Sequence, residues 1–147
     1  MKKLKLAYNQ QEENRQDVCI CLPFFTSNIS AGFPSPADDC IEKNLDLNEY
    51  LIKNKSATFF VRVSGDSMIN IGIFPNDILI VDRSLTARHS DIIIAAVYGE
   101  LTVKKLFYKN NQVILLPENK KYRPIIIESE DALDVWGVVI NGIRHFR

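Results

Sequence analysis

The residues best suited to chemistry are Ser64-Gly65-Asp66-Ser67-Met68 and the adjacent lysines Lys104 and Lys105 inside LTVKKLFY. A serine hydroxyl is a poor nucleophile until a base takes its proton. Neither His89 nor His145 stands in a context that suggests a Ser-His-Asp triad. A lysine serves instead if it is kept neutral by burial. Moving its pKa from about 10.4 to about 7–8 corresponds to about 4 kcal/mol, which desolvation inside a protein can supply. On a strand, Leu101, Val103, Lys105 and Phe107 point one way, and Thr102, Lys104 and Leu106 the other. One lysine faces each side, and periodicity does not choose between them. The plainer alternatives are a strand-ending turn and an edge strand whose lysines discourage aggregation. Asp66 is a poor triad acid, because a carboxylate beside the lysine would hold it protonated. Its expected role is to bind backbone N–H groups of its own turn.

The surrounding elements read mostly as β. Residues 57–63 (ATFFVRV) are aromatic and β-branched, and residues 77–82 follow the turn-former Pro75-Asn76. Residues 91–97 (DIIIAAV) are apolar on both faces and so belong in a core. Further strands are expected at 101–108, 112–116, 125–127 and 133–140, with turns at Tyr98-Gly99-Glu100 and Lys109-Asn110-Asn111. A short helix is expected from Asp46, which can cap it, to about Lys53. Strands at this spacing predict a mainly β fold, a small twisted barrel or rolled sheet. Asp77, Asp82 and Asp91 fall at strand ends and are expected in solvent.

Residues 1–45 differ. They are polar at first, then apolar over 18–25, then reach Ala31-Gly32-Phe33-Pro34-Ser35-Pro36, whose prolines favour an extended path. The expected layout is an arm over 1–45 and a β-rich domain over 46–147. About 31 residues before Gly32 are too few for a helix-turn-helix domain with its own core.

Composition narrows the function. With 46% hydrophobic residues among 147, the chain can bury a core. Eighteen basic residues balance eighteen acidic ones, which argues against sequence-specific DNA binding as the main task. Cys19, Cys21 and Cys40 lack the matching ligands of a zinc site and read as reduced thiols. No signal peptide or membrane span is apparent, so a cytoplasmic location is expected.

The stretches AGFPSPADD, FVRVSGDSMI, DILIVDRSLTARHSDIIIAAVYGELTVKKL and LDVWGVVI together resemble the LexA-type self-cleaving serine peptidases. The likeness is strongest to the branch whose shortened members serve an error-prone translesion polymerase. It implies Ser67 as nucleophile, Lys104 as general base and Ala31-Gly32 as the bond the protein cuts in itself, with no metal or cofactor. A glycine after the scissile carbonyl avoids a clash, Ala31 suits a shallow pocket, and extended backbone suits docking along a sheet edge. Gly65 would let backbone approach the substrate, Met68 would anchor the turn in the core, and Thr102 would hydrogen-bond the lysine. A backbone N–H near Ser67 would meet the oxyanion. The implied partners are a second copy (a homodimer), the UmuC polymerase, and a RecA filament on single-stranded DNA that promotes cutting. Rival readings are an interaction module with an idle Ser-Lys pair and the peptidase domain of a phage-type repressor. The first thirty residues, residues 70–75 and the tail from Asn141 depart from the family's pattern.

Overall fold

The computed structural model describes residues 20–25, 29, 31–32 and 42–147; the readings of Cys19, Cys40, Pro34 and Pro36 lie outside these. The chain divides into two compact units, Met1–Tyr50 and Leu51–Arg147. In the first, strand β1 (Cys21–Phe25) pairs antiparallel with β2 (Glu42–Asp46), with Cys21 opposite Asp46. The apolar stretch in the arm therefore contains a strand, and Pro23 is accommodated because a two-stranded ladder has free edges. Helix α1 (Leu47–Leu51) follows, capped as its sequence predicts: Asp46 Oδ1 accepts from the Asn48 N–H at 2.8 Å.

The second unit is one antiparallel sheet. Its strands are β3 (Thr58–Arg62), β4 (Ile78–Asp82), β5 (Ile92–Val97), β6 (Glu100–Lys109), β7 (Gln112–Leu116), β8 (Ile125–Ile127) and β9 (Leu133–Ile143). They lie in the order β3-β4-β9-β5-β6-β7-β8. All seven were legible in the sequence. The barrel was not realised: among the described residues β3 and β8 have no strand on their outer sides, so the sheet is open. Closure requires the end strands to form a continuous ladder, and β8 offers three residues directly after Pro124.

Curvature comes from β9. Its register slips once against β5, between Ile94 and Ala95, and once against β4, between Ile80 and Val81. Trp136 and Ile140 are the extra residues, and such bulges bend and twist a sheet. Between them, Gly137 lies so close to β4 that an added Cβ would sit 2.8 Å from the Asp82 carbonyl oxygen. The turns into and out of β6 need left-handed backbone. Asn110 and Asn111, at φ 50 and 59, make the two-residue connection to β7 that this residue type tolerates best after glycine.

Both faces of β5 are covered. Ile93, Ala95 and Val97 join Leu106, Leu115 and Ile127 in one cluster, while Ile94 joins Val63, Met68, Ile73, Leu79 and Val81 in another. This is why DIIIAAV carries no polar alternation.

Two carboxylates depart from expectation. Asp77 and Asp82 are buried, not solvated. Asp82 Oδ1 accepts from the N–H and hydroxyl of Ser84, at 2.7 and 2.6 Å. Asp77 is gripped by Arg144, whose Nε donates to Oδ1 at 2.8 Å, and it also accepts the Phe74 N–H at 2.8 Å. Arg144 in addition donates to the Gly72 carbonyl and stacks on the Phe74 ring, 4.1 Å from its centroid. Residues 70–75 and the C-terminal tail are thus each other's partners. The Arg144 hydrogen bond is the largest influence holding the Asp77 carboxyl below its ordinary range. A carboxyl depressed in the folded state stabilises the fold above its unfolded value and loses that contribution as pH falls through its folded value. Wild-type melting temperature should therefore fall more steeply below about pH 4 than that of Asp77→Asn, read by thermal unfolding across an acid series. Parallel curves would deny Asp77 this role.

Candidate active site

Ser67 stands in the connection between β3 and β4. Strand pairing runs one step beyond β3, where the Val63 N–H donates to the Asp77 carbonyl at 2.8 Å; residues 64–76 then leave the sheet. Gly65 opens the excursion at φ +84, a conformation costly for any residue with a Cβ. A Cβ there would meet no neighbouring atom within 4 Å, so the backbone angle is what calls for glycine. Met68, only 1% exposed, drives the next side chain into the core cluster of Leu79, Val81 and Ile94. A short 3-10 helix, Ile69–Ile71, and Gly72 at φ 85 turn the chain back towards β4. Ser67 is thus fixed between a hinge and an anchor.

Of the two lysines, it is Lys104 that reaches Ser67. Its amine lies 3.0 Å from Ser67 Oγ, 2.9 Å from Thr102 Oγ1 and 3.0 Å from the Val103 carbonyl. The residue is 7% exposed, and burial alone pushes its amine below the ordinary lysine value. A neutral amine has two N–H bonds and one lone pair. The Val103 carbonyl can only accept, and Thr102 Oγ1 can accept the second N–H. The lone pair is then left for the Ser67 hydroxyl proton. Such an arrangement can generate an alkoxide-like oxygen without a histidine.

Lys105 turns elsewhere and pairs with Glu118 at 2.9 Å. Asp66 also reaches beyond its own turn, to the loop after β7. Its Oδ1 accepts from the Tyr122 hydroxyl and its Oδ2 from Asn119 Nδ2 at 3.3 Å. The Tyr122 hydrogen bond is the main influence lowering the Asp66 carboxyl, and Lys121 adds to it. Asn119 Nδ2 also donates to the Asp66 carbonyl at 2.9 Å, and the Glu118 N–H to the Ser67 carbonyl at 2.8 Å. Asn119, Glu118 and Tyr122 carried no signal in the sequence beyond an ordinary polar loop after β7.

A cleft of about 350 Å³ opens beside the pair. Val61, Leu79 and Ile94 give it apolar wall, and Ser67, Thr102 and Lys104 its polar floor. Its size suits a few residues of peptide. Ala31 and Gly32 lie in the first unit, both exposed and in a bend.

Residues 23–140 match the family described as Peptidase S24-like. The chain is 42% identical over 123 residues to protein MucA of Salmonella typhimurium, covering 83% of this chain and 84% of that one. It is 46% identical over 125 residues to protein SamA of Salmonella typhimurium strain LT2, covering 85% and 86%. It is 36% identical over 145 residues to protein ImpA of Salmonella typhimurium, covering 98% of both. With the family model matched over most of its length and relatives of this identity covered nearly end to end, the chain belongs to the Peptidase S24-like family.

Proposed function

We propose that this protein is a serine endopeptidase that cuts itself once, between Ala31 and Gly32. Ser67 Oγ attacks the Ala31 carbonyl carbon while Lys104 takes the hydroxyl proton. A backbone N–H at the Ser67 turn meets the oxyanion. The C–N bond then breaks, Lys104 returns the proton to the departing Gly32 amine, and an ester joins Ser67 to Ala31. Water, deprotonated by the same lysine, hydrolyses that ester and frees the serine. The observation that carries the reading is the buried Lys104 amine 3.0 Å from Ser67 Oγ, with no carboxylate among its partners in the described residues.

Residues 1–45 act as the substrate-bearing arm and 46–147 as the peptidase domain. The shortened product is a UmuD-type accessory subunit of an error-prone translesion polymerase of the UmuC kind, acting as a homodimer in the SOS response to DNA damage. The likeness to MucA, SamA and ImpA supports this role. A permanently docked arm would be cut at once, so the reading calls for a trigger, and a RecA filament on single-stranded DNA supplies it by stabilising the competent arm position.

The test is intact mass against time for the purified protein at alkaline pH. One new product should appear, beginning at Gly32, and Ser67→Ala should abolish it. A Ser67→Ala protein still cut at that bond would assign the cleavage to another protease and defeat the proposal.

A further inference from the structure

The turn that carries Ser67 is held from a second side by the loop after β7. The Glu118 N–H donates to the Ser67 carbonyl at 2.8 Å, and the Asn70 N–H returns to the Glu118 carbonyl at 2.9 Å. Asn119, 7% exposed, places its amide on the Asp66 carbonyl and carboxylate together. Its own Oδ1 accepts the Lys121 N–H at 3.1 Å, and its carbonyl the Tyr122 N–H at 3.0 Å, so the loop is folded around it. Tyr122 completes the arrangement by donating its hydroxyl to Asp66 Oδ1, and the residue lines the cleft. At the other end Glu118 is tied to Lys105, the residue next to Lys104 on β6. The contacts form a closed circuit: β6 holds Glu118, Glu118 holds Ser67, and Ser67 meets the amine that β6 carries.

We propose that Tyr122, acting with Asn119 through Asp66, is a positioning residue that clamps residues 118–122 over the Ser67 turn, keeping Ser67 Oγ against Lys104 and bulk water away from the amine. Its bearing on catalysis rests on the peptidase reading; the clamp itself does not. Lys105 is the anchor of this clamp, which gives the second lysine of the pair a task distinct from the first. A displacement of about 1 Å at a reacting atom can cost a hundredfold in rate, so a hydrogen-bonded loop behind the nucleophile has leverage. The clamp also suits alkaline conditions. The bond to Asp66 raises the Tyr122 phenol above its ordinary value, so it stays protonated while a depressed lysine loses its proton. The charged neighbour of Asp66 is Lys121, which favours the same carboxylate state.

The experiment follows Lys104 itself in the full chain, through the titration of its 13Cε resonance, assigned by its loss in Lys104→Ala. Thermal unfolding and intact mass are recorded on the same samples. Tyr122→Phe keeps the ring and removes only the hydroxyl. It should melt close to wild type, raise the Lys104 midpoint by roughly half a pH unit or more, and slow self-cleavage about tenfold at fixed pH. Asp66→Ala should slow self-cleavage as Tyr122→Phe does, whereas Asp66→Asn, which keeps an oxygen acceptor, should slow it less. A folded Tyr122→Phe protein with an unmoved Lys104 midpoint overturns the proposal, as does a folded Asp66→Ala protein that cuts itself at the wild-type rate. A chain that never cuts itself, yet whose Lys104 midpoint responds to Tyr122→Phe, keeps the clamp and loses the peptidase reading.

Discussion

Replacing Lys104 by methionine should stop self-cleavage while leaving the protein as stable as before, or more so. The two effects separate because the lysine does different things in each. For catalysis it is the only base within reach of Ser67 Oγ among the described residues, and its loss should slow cutting on the order of a thousandfold or more. For stability it is a costly passenger: an amine 7% exposed, with hydroxyl and carbonyl partners but no counter-ion among the described residues. Methionine keeps much of its length and apolar stem without the amine. Its former partners Ser67, Thr102 and Val103 are only half-buried and line the cleft, where water can replace the lost hydrogen bonds. Lys104→Arg provides the complementary control. Its guanidinium stays charged at every accessible pH and cannot accept a proton from serine, so it too should be inactive. Rates come from intact mass and stability from denaturant unfolding. Substantial cutting by Lys104→Met would mean that another group activates Ser67.

Met68→Ala should damage the fold and the site together. Met68 is 1% exposed and packs with Val63, Ile73, Leu79, Val81 and Ile94. Truncating a buried side chain of this size costs about 2–5 kcal/mol, set by how far the cavity collapses. The methionine is also the side chain that seats the Ser67 turn on the sheet, so self-cleavage should fall even under conditions where the variant remains folded. Met68→Leu conserves volume and should cost less than about 1.5 kcal/mol with activity largely kept. If Met68→Ala unfolds as wild type does, the turn is not anchored through the core.

How much of this was legible in the sequence follows from the range over which each signal acts. The strands were readable because ATFFVRV, DILIVD and DIIIAAV state their preference within a few residues. The turn at Asn110-Asn111 was readable because it needs positive φ at both residues. Period-two alternation, however, says which residues share a face and nothing about which strands end as edges. An open sheet and a barrel therefore looked alike. The same alternation could not choose between Lys104 and Lys105. Contacts across large sequence separations left no local trace: Asp66 meets Asn119 and Tyr122 at distances of 53 and 56 residues, and Asp77 meets Arg144 at 67. A strand-end aspartate reads as solvated until the arginine that buries with it is placed. Thr102 was the exception, being two residues from Lys104 on the same side of one strand. Gly65 was picked out for close approach to a substrate, while its positive φ supplies the structural demand.

The central claim is that the Lys104 amine is uncharged where Ser67 needs a base. It is tested most directly by titrating the Lys104 13Cε resonance alongside the pH dependence of self-cleavage in the wild-type chain. Burial lowers the folded pKa, so the neutral amine should accumulate as pH rises through a midpoint below the ordinary lysine value of about 10.4, and the cleavage rate should climb with the same midpoint. A Lys104 midpoint at the ordinary value, or a rate that ignores it, would contradict the claim.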